Sequence, residues 1–134
     1  MRSIIALCFG VVFATLASVS ADDLVATGTW GGPHIALEVT DAGATATFDC
    51  AHGTIVERMT LDRNGRFNLR GTYAVERPGP SRETEDDQGR AVRYAGRVRG
   101  KTMTLTISPA GGATDPIGTF TLEHGKSVAL RRCQ

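Results

Sequence analysis

Apolar and polar residues alternate along most of this chain, which is typical of β-strands with one buried and one solvated face. Phe67, Leu69 and Tyr73 alternate with polar or small neighbours, and Met103 and Leu105 alternate with threonines. No stretch of about 11 residues has the three-and-four apolar spacing of an amphipathic helix. The pattern predicts strands near residues 25–30, 34–40, 44–50, 54–61, 66–76, 91–99, 102–108, 117–124 and 127–133.

Short turns separate these predicted strands. Asn64-Gly65 is a strong hairpin signal, and Gly100-Lys101 and Gly125-Lys126 leave almost no loop between neighbouring strands. A succession of hairpins predicts an all-β fold, a small antiparallel up-and-down barrel of about eight or nine strands. A barrel is favoured over a sandwich because closure removes exposed strand edges. The one long polar insertion, residues 77–90, is either a lid over the barrel mouth or an extended hairpin tip.

The N-terminus has the organisation of a secretory signal peptide. Arg2 precedes an apolar run from Ile4 to Leu16, and small residues follow as far as Ala21. The run is shorter than the ~20 apolar residues of a membrane span. We therefore expect residues 1–21 to be removed and residues 22–134 to form a single domain in the periplasm or outside the cell, with no membrane attachment after cleavage.

Cleavage would leave two of the three cysteines, Cys50 and Cys133. In an oxidising compartment such a pair predicts one disulfide, which the chain-entropy model values at roughly 4–5 kcal/mol at most for so long a loop. The alternative is that Cys50 is a reactive thiol or a metal ligand, because His52 lies two residues away on the same face of a strand.

The charge of the mature chain is balanced. The 15 Lys and Arg residues fall to 14 once Arg2 is removed, which matches the 14 Asp and Glu residues. This balance provides no global attraction to nucleic acid or to an anionic membrane.

Arginines are concentrated on two neighbouring predicted strands. If these strands pair, a stripe forms on the outer wall from Arg66, Arg70, Arg93, Arg97 and Arg99. The stripe could hold a carboxylate or phosphate partner. The alternative is a solvated face interleaved with acids such as Glu57 and Glu76.

The segment Gly28-Thr29-Trp30 resembles the Gly-x-Trp that begins the first strand of calycin-type barrels: lipocalins, avidin-like proteins and small bacterial protease inhibitors. The chain also resembles a class of uncharacterised exported bacterial proteins, from which no activity carries over. The resemblance implies that a basic residue near the last strand, here Arg131 or Arg132, packs across Trp30 and closes that end of the barrel. The continuation Gly31-Gly32-Pro33-His34 departs from the usual pattern.

Alternation places several large side chains inside the expected barrel, and these are the candidate ligand-binding residues. They are Trp30, Phe48, Tyr73, Tyr94, Met103 and Phe120. The first functional hypothesis is therefore an exported barrel that binds a small apolar molecule. The same side chains could equally fill the interior.

Two other roles stay open. The chain could be an inhibitor or protein-binding module that acts on a periplasmic or secreted enzyme, with the barrel as a solid scaffold. A third hypothesis is a metal-binding protein that uses His34 and His52, with His124 as a further candidate, although no pair has recognised zinc or calcium spacing. No nucleophile elbow or HExxH motif is present, so we predict neither catalytic residues nor a cofactor.

Overall fold

The computed structural model describes residues 10, 23–76, 89–111 and 115–131. The predicted signal peptide (apart from Gly10), most of the 77–90 insertion, Arg132 and Cys133 lie outside these ranges. The strands are β1 Asp23–Leu24, β2 Gly28–Gly32, β3 Ile35–Val39, β4 Ala44–Phe48, β5 Ala51–Ile55, β6 Thr60–Leu61, β7 Arg66–Val75, β8 Arg90–Arg99, β9 Thr102–Pro109 and β10 Gly118–His124. Within the same ranges, no helix is long and apolar enough to cross a membrane.

Eight of the strands form a closed antiparallel barrel, which confirms the predicted fold class. Their order around the barrel is β10-β2-β3-β4-β5-β7-β8-β9. Each strand therefore pairs with its neighbour along the chain, except where β6 leaves the wall and pairs with β1 as a separate two-stranded sheet. Closure depends on β10 and β2, which share two register pairs, Glu123 with Gly31 and His124 with Trp30.

The observed strands differ from the predicted ones in two places. The predicted strand 54–61 divides into β5 and β6, because the amide of Val56 still bonds to Arg70 but Glu57 then takes the Arg70 amide with its side chain. The prediction of a final strand over 127–133 is wrong for residues 127–131, which have no strand pairing. The pairing of β10 with β2 has already closed the wall, so this segment finds no open edge.

The two ends of the barrel contain different turns and are named the Asp49 end and the Trp30 end. The Asp49 end contains the turns Pro33-His34 and Asp49-Cys50, and β7 and β9 finish there. The Trp30 end contains the turn at Asn64-Gly65 and the β1–β6 pair. Segment 125–131 leaves β10 at the Trp30 end and reaches the Asp49 end, where Arg131 bonds to Asp49.

Large apolar side chains fill the barrel interior. Ten of them are less than 2 % exposed: Trp30, Tyr94, Ile35, Leu37, Met59, Met103, Leu105, Ile107, Leu122 and Val92. Among the described residues, no buried side-chain nitrogen or oxygen lacks a hydrogen-bond partner. Burial of these side chains is the main favourable contribution to stability, at about 1.5–3 kcal/mol for a fully buried large apolar residue.

Two aromatic rings occupy space that glycines leave inside the wall. A Cβ added at Gly53 would lie 2.1 Å from the Tyr94 hydroxyl, and one added at Gly71 would lie 2.6 Å from the Tyr94 ring. Similarly, a Cβ at Gly96 would lie 2.8 Å from the ring of Phe67. Small and large residues are thus matched across the interior, as dense packing requires.

Gly53→Ala is expected to lower the free energy of unfolding by about 1–3 kcal/mol, since the added methyl overpacks a filled interior. Its Cβ would meet the Tyr94 hydroxyl and, at 2.3 Å, the carbonyl oxygen of Thr72. Urea denaturation of the mature chain measures the change. Gly111→Ala is the control, because no atom of the described chain lies within 4 Å of the added Cβ. Equal stability of the two variants would contradict this account of the packing.

Candidate functional site

The six predicted ligand-binding residues all pack in or against the interior, but they do not form one site. Trp30, Phe48, Tyr94 and Met103 are buried, whereas Tyr73 and Phe120 are partly buried against the core. Phe48 brings the last two together, with its ring centroid 5.3 Å from that of Tyr73 and 5.3 Å from that of Phe120.

These three rings, the aromatic cluster, lie at the Asp49 end. Phe48 is the final residue of β4, Tyr73 is close to the end of β7, and Phe120 is close to the start of β10. The cluster is the part of the predicted ligand site that retains access to solvent.

Tyr94 belongs to the packed interior. Its hydroxyl donates a 2.6 Å hydrogen bond to the carbonyl oxygen of Thr72, and its side chain is fully buried. Burial raises the pKa of Tyr94 far above its ordinary value. The phenol is therefore neutral and hydrogen-bonded to the barrel wall, so Tyr94 has a structural role.

Trp30 closes the opposite end of the barrel. Its Nε1 donates to the carbonyl oxygen of Ala26 at 2.9 Å, and its ring lies 4.8 Å from the ring of His124. His124 is fixed in turn by Nε2, which donates to the carbonyl oxygen of Thr27 at 2.9 Å. A histidine thus stacks obliquely against the indole at this end.

The structure does not bring Arg131 to Trp30. The amide of Arg131 bonds to Asp49 at the other end of the barrel, and the residue is exposed. Arg132 lies outside the described residues, so closure by Arg132 stays a prediction.

The unusual Gly31-Gly32 pair follows from close approaches at the seam between β2 and β10. A Cβ on Gly32 would lie 1.9 Å from the carbonyl oxygen of Thr121, and one on Gly31 would lie 2.2 Å from that of Lys126. The second contact shows that the segment after β10 passes directly over β2. Larger residues at either position would push apart the strands that close the barrel.

The Asp49 carboxylate joins three parts of the chain at its end of the barrel. Oδ1 accepts a 2.6 Å hydrogen bond from the backbone N–H of Arg131, and Oδ2 contacts Nδ1 of His34. These hydrogen bonds, that from Arg131 first, lower the pKa of Asp49. The carboxylate thus holds segment 125–131 against the two tight turns, in which His34 and Cys50 have positive φ angles of 68° and 59°.

The three histidines do not converge. His34 contacts Asp49, His52 Nδ1 lies 3.2 Å from Glu76 Oε1, and His124 is at the Trp30 end. Over the described ranges, no group of three or more His, Cys, Asp or Glu side chains is arranged to hold a metal ion. Each ring instead has a hydrogen-bond partner of its own.

The predicted arginine stripe is present on the outer wall. Arg66 is directly opposite Arg97 in the β7–β8 ladder, and Arg70 is directly opposite Arg93. Arg99 continues the row on β8. We call these five residues the arginine face.

The two acids expected to balance this face behave differently. Glu57 engages Arg70, accepting from its backbone N–H at 2.7 Å and from its Nε at 3.2 Å, and these bonds lower the pKa of Glu57. Glu76 pairs with His52. Arg97 donates its Nε to the carbonyl oxygen of Asn64 at 3.2 Å. Within the described chain, Arg70 is the one member of the face held in a salt bridge.

A groove of about 480 Å³ runs along the arginine face. Its lining residues are Arg66, Gly96, Arg97, Arg99, Thr102, Thr104 and Thr106. A neighbouring depression of about 670 Å³ shares Arg66, Gly96 and Thr106 with it. The described outer wall therefore presents guanidinium groups beside threonine hydroxyls in a continuous concave surface.

Two long-range contacts could not be predicted from the sequence: that of Asp49 with Arg131 and that of Trp30 with His124. Nothing in the sequence around Asp49 indicates its partner, and the resemblance to calycin-type barrels implies that Arg131 or Arg132 packs across Trp30. The pairing of Asp49 with Arg131 spans 82 residues, and no local pattern encodes it. The contact between Trp30 and His124 was missed for the same reason, although the inward phase of His124 with Leu122 was a usable signal.

Asp49→Ala is expected to release segment 125–131, with faster hydrogen exchange at the Arg131 amide in NMR spectra. Because the Asp49 pKa is depressed on folding, its stabilising effect is present above the ordinary Asp pKa of about 3.9 and is lost as pH falls through the folded value. Wild-type protection at Arg131 should therefore decline in acid. Asp62→Ala is the matched control, since Asp62 caps the turn at Asn64 and Arg66. An unchanged rate of hydrogen exchange at the Arg131 amide in Asp49→Ala would show that Asp49 does not hold segment 125–131.

In comparisons with known proteins, no family model, no curated protein and no solved structure matches this chain. The closed eight-stranded barrel therefore rests on the residues described above. The resemblance to calycin-type barrels, carried by Gly28-Thr29-Trp30, stays a prediction.

Proposed function

We propose that this chain is an exported protein-binding module with a calycin-like barrel, which acts on a periplasmic or secreted protein such as an enzyme that it inhibits. The observation that carries the proposal is the filled interior. Tyr94 lies across Gly53 and Gly71, and Phe67 lies across Gly96, so large rings occupy the space that a ligand would need. A solid barrel is a rigid support for a surface that recognises another protein.

Export and a disulfide between Cys50 and Cys133 are part of the same proposal. The hydrogen bond between Asp49 and Arg131 supports the pairing, because it holds residues close to each cysteine side by side. A disulfide there would link the C-terminal segment covalently to the turn at Cys50. It would also stabilise a small barrel in which β10 and β2 share only a short seam.

A second candidate function is supported by the aromatic cluster of Phe48, Tyr73 and Phe120. Two of these rings are partly exposed at the Asp49 end, where a small apolar molecule could bind without entering the packed interior. This role keeps the hypothesis that the barrel binds a small apolar molecule, but it places the binding site at the barrel mouth instead of in the interior.

The mature protein should begin at Asp22 and should be lighter than its reduced form by the mass of two hydrogens, since the disulfide replaces two thiols. Intact mass spectrometry before and after reduction measures both features. Cys50→Ser combined with Cys133→Ser should retain the barrel with lower stability in urea. A mass that includes residues 1–21, or two titratable thiols in protein purified without reductant, would contradict this part of the proposal.

Native mass spectrometry of protein purified from its own host should detect a complex of defined stoichiometry with a second protein. The filled interior is the reason to expect a protein rather than a small molecule. Phe120→Ala is the informative variant, because it opens the aromatic cluster and should leave the protein complex intact. A small molecule that is retained by the wild type and lost in Phe120→Ala would instead establish the second candidate. The chain alone, with neither, would overturn both.

A further inference from the structure

We propose that the arginine face is the recognition surface for an extended acidic segment of a partner protein, with Asp or Glu at alternate positions. This inference rests on the proposed function and adds the chemistry and conformation of the partner. Five arginines and no acidic residue occupy the outward positions of the paired strands β7 and β8.

The arginine face carries more positive than negative charge. Like charges that are directly opposite in an antiparallel ladder destabilise it, and this ladder contains two such pairs, Arg66 with Arg97 and Arg70 with Arg93. Two carboxylates offset part of this charge: Glu57 interacts with Arg70 and Arg93, and Asp62 interacts with Arg66 and Arg97. Two acids beside five arginines leave an excess of three positive charges on the face. A bound row of carboxylates would relieve the remaining repulsion, so the free surface favours an anionic partner.

The spacing of the arginines favours an extended chain. Residues two apart in a strand are separated by about 6.6–6.8 Å. Arg97 and Arg99 have this spacing on β8, and Arg93 lies two such intervals from Arg97, with Ala95 between them. An extended peptide presents alternate side chains at the same interval. A peptide with carboxylates at every second position therefore has one at the level of each arginine, and each can accept from the paired N–H donors that arginine offers.

The groove beside the arginines supplies the remaining contacts. Thr102, Thr104 and Thr106 line it together with Arg97 and Arg99. Their hydroxyls can donate to carboxylates or to backbone carbonyl oxygens of a chain lying along the sheet. A shallow polar groove of this kind suits an extended polypeptide.

The same surface is poorly suited to nucleic acid. Every residue of β7, β8 and β9 is described, and none of their outward positions has an aromatic side chain on which a base could stack. The balanced charge of the mature chain also provides no long-range attraction to a polyanion. Carboxylates on a protein are the anion that these observations favour.

The test uses the mature, oxidised protein and a capped ten-residue peptide of alternating Glu and Ser, with binding measured by calorimetry at low salt. Wild-type protein should bind it, and binding should weaken as salt is added. Arg93→Glu combined with Arg99→Glu should reduce affinity about tenfold or more. Neither arginine side chain has a hydrogen bond within the described structure, and a carboxylate at position 93 would be directly opposite Arg70, so this variant should fold normally.

Arg63→Glu combined with Lys126→Glu is the matched control, since it makes the same change in charge at two exposed positions outside the face and should bind like the wild type. A peptide of five Glu followed by five Ser should bind more weakly, because fewer carboxylates match the repeat. Equal losses in both variants, no peptide binding, or tighter binding of polyphosphate or single-stranded DNA would overturn the inference. A host complex that survives in Arg93→Glu with Arg99→Glu would overturn it while leaving the proposed function intact.

Discussion

Closure of the barrel between β10 and β2 is the constraint on which the rest of the structure depends. The seam has only two register pairs, and it is reinforced by the bond from the Gly125 amide to the Thr29 carbonyl at 2.7 Å and by the packing of His124 on Trp30. Gly31 and Gly32 make this possible, because a side chain on Gly32 would meet the backbone of β10 and one on Gly31 would meet the backbone of Lys126, just after β10. Two adjacent glycines in β2 thus allow the close approach on which closure of the wall depends.

Once the wall is closed, its small diameter decides what the interior can contain. An eight-stranded barrel is just wide enough for its own side chains to fill it or for one small ligand. Here the rings of Tyr94 and Phe67 extend over glycines in neighbouring strands, and Met103, Leu105 and Leu122 are fully buried around them. The side chains that stay accessible to solvent lie at the rim and on the outer wall, where Phe120 and Tyr73 are partly exposed and the arginine face is present.

The sequence predicted the wall well because alternation is local. Met103 and Leu105 indicate their strand without reference to any other, and Asn64-Gly65 indicates its turn. Segment 127–131 alternates in a similar way yet pairs with no strand, since pairing depends on whether a neighbouring edge is open. The contacts of Asp49 with Arg131 and of Trp30 with His124 are between distant residues, and such partners are chosen by the closed fold rather than by their own neighbours. The arginine stripe could be predicted because both of its strands were.

The arginines also show how this fold separates its outer surface from its core. The β7–β8 hairpin has the longest strands of the described barrel, so it has backbone hydrogen bonds enough to tolerate two opposed arginine pairs on its solvent side. On its inner side the same hairpin supplies Leu69, Val92 and Tyr94 to the core. Because successive side chains in a strand face opposite ways, the repulsion outside does not disturb the packing inside. The solvent side of this hairpin can therefore carry an excess of positive charge while its inner side stays packed in the core.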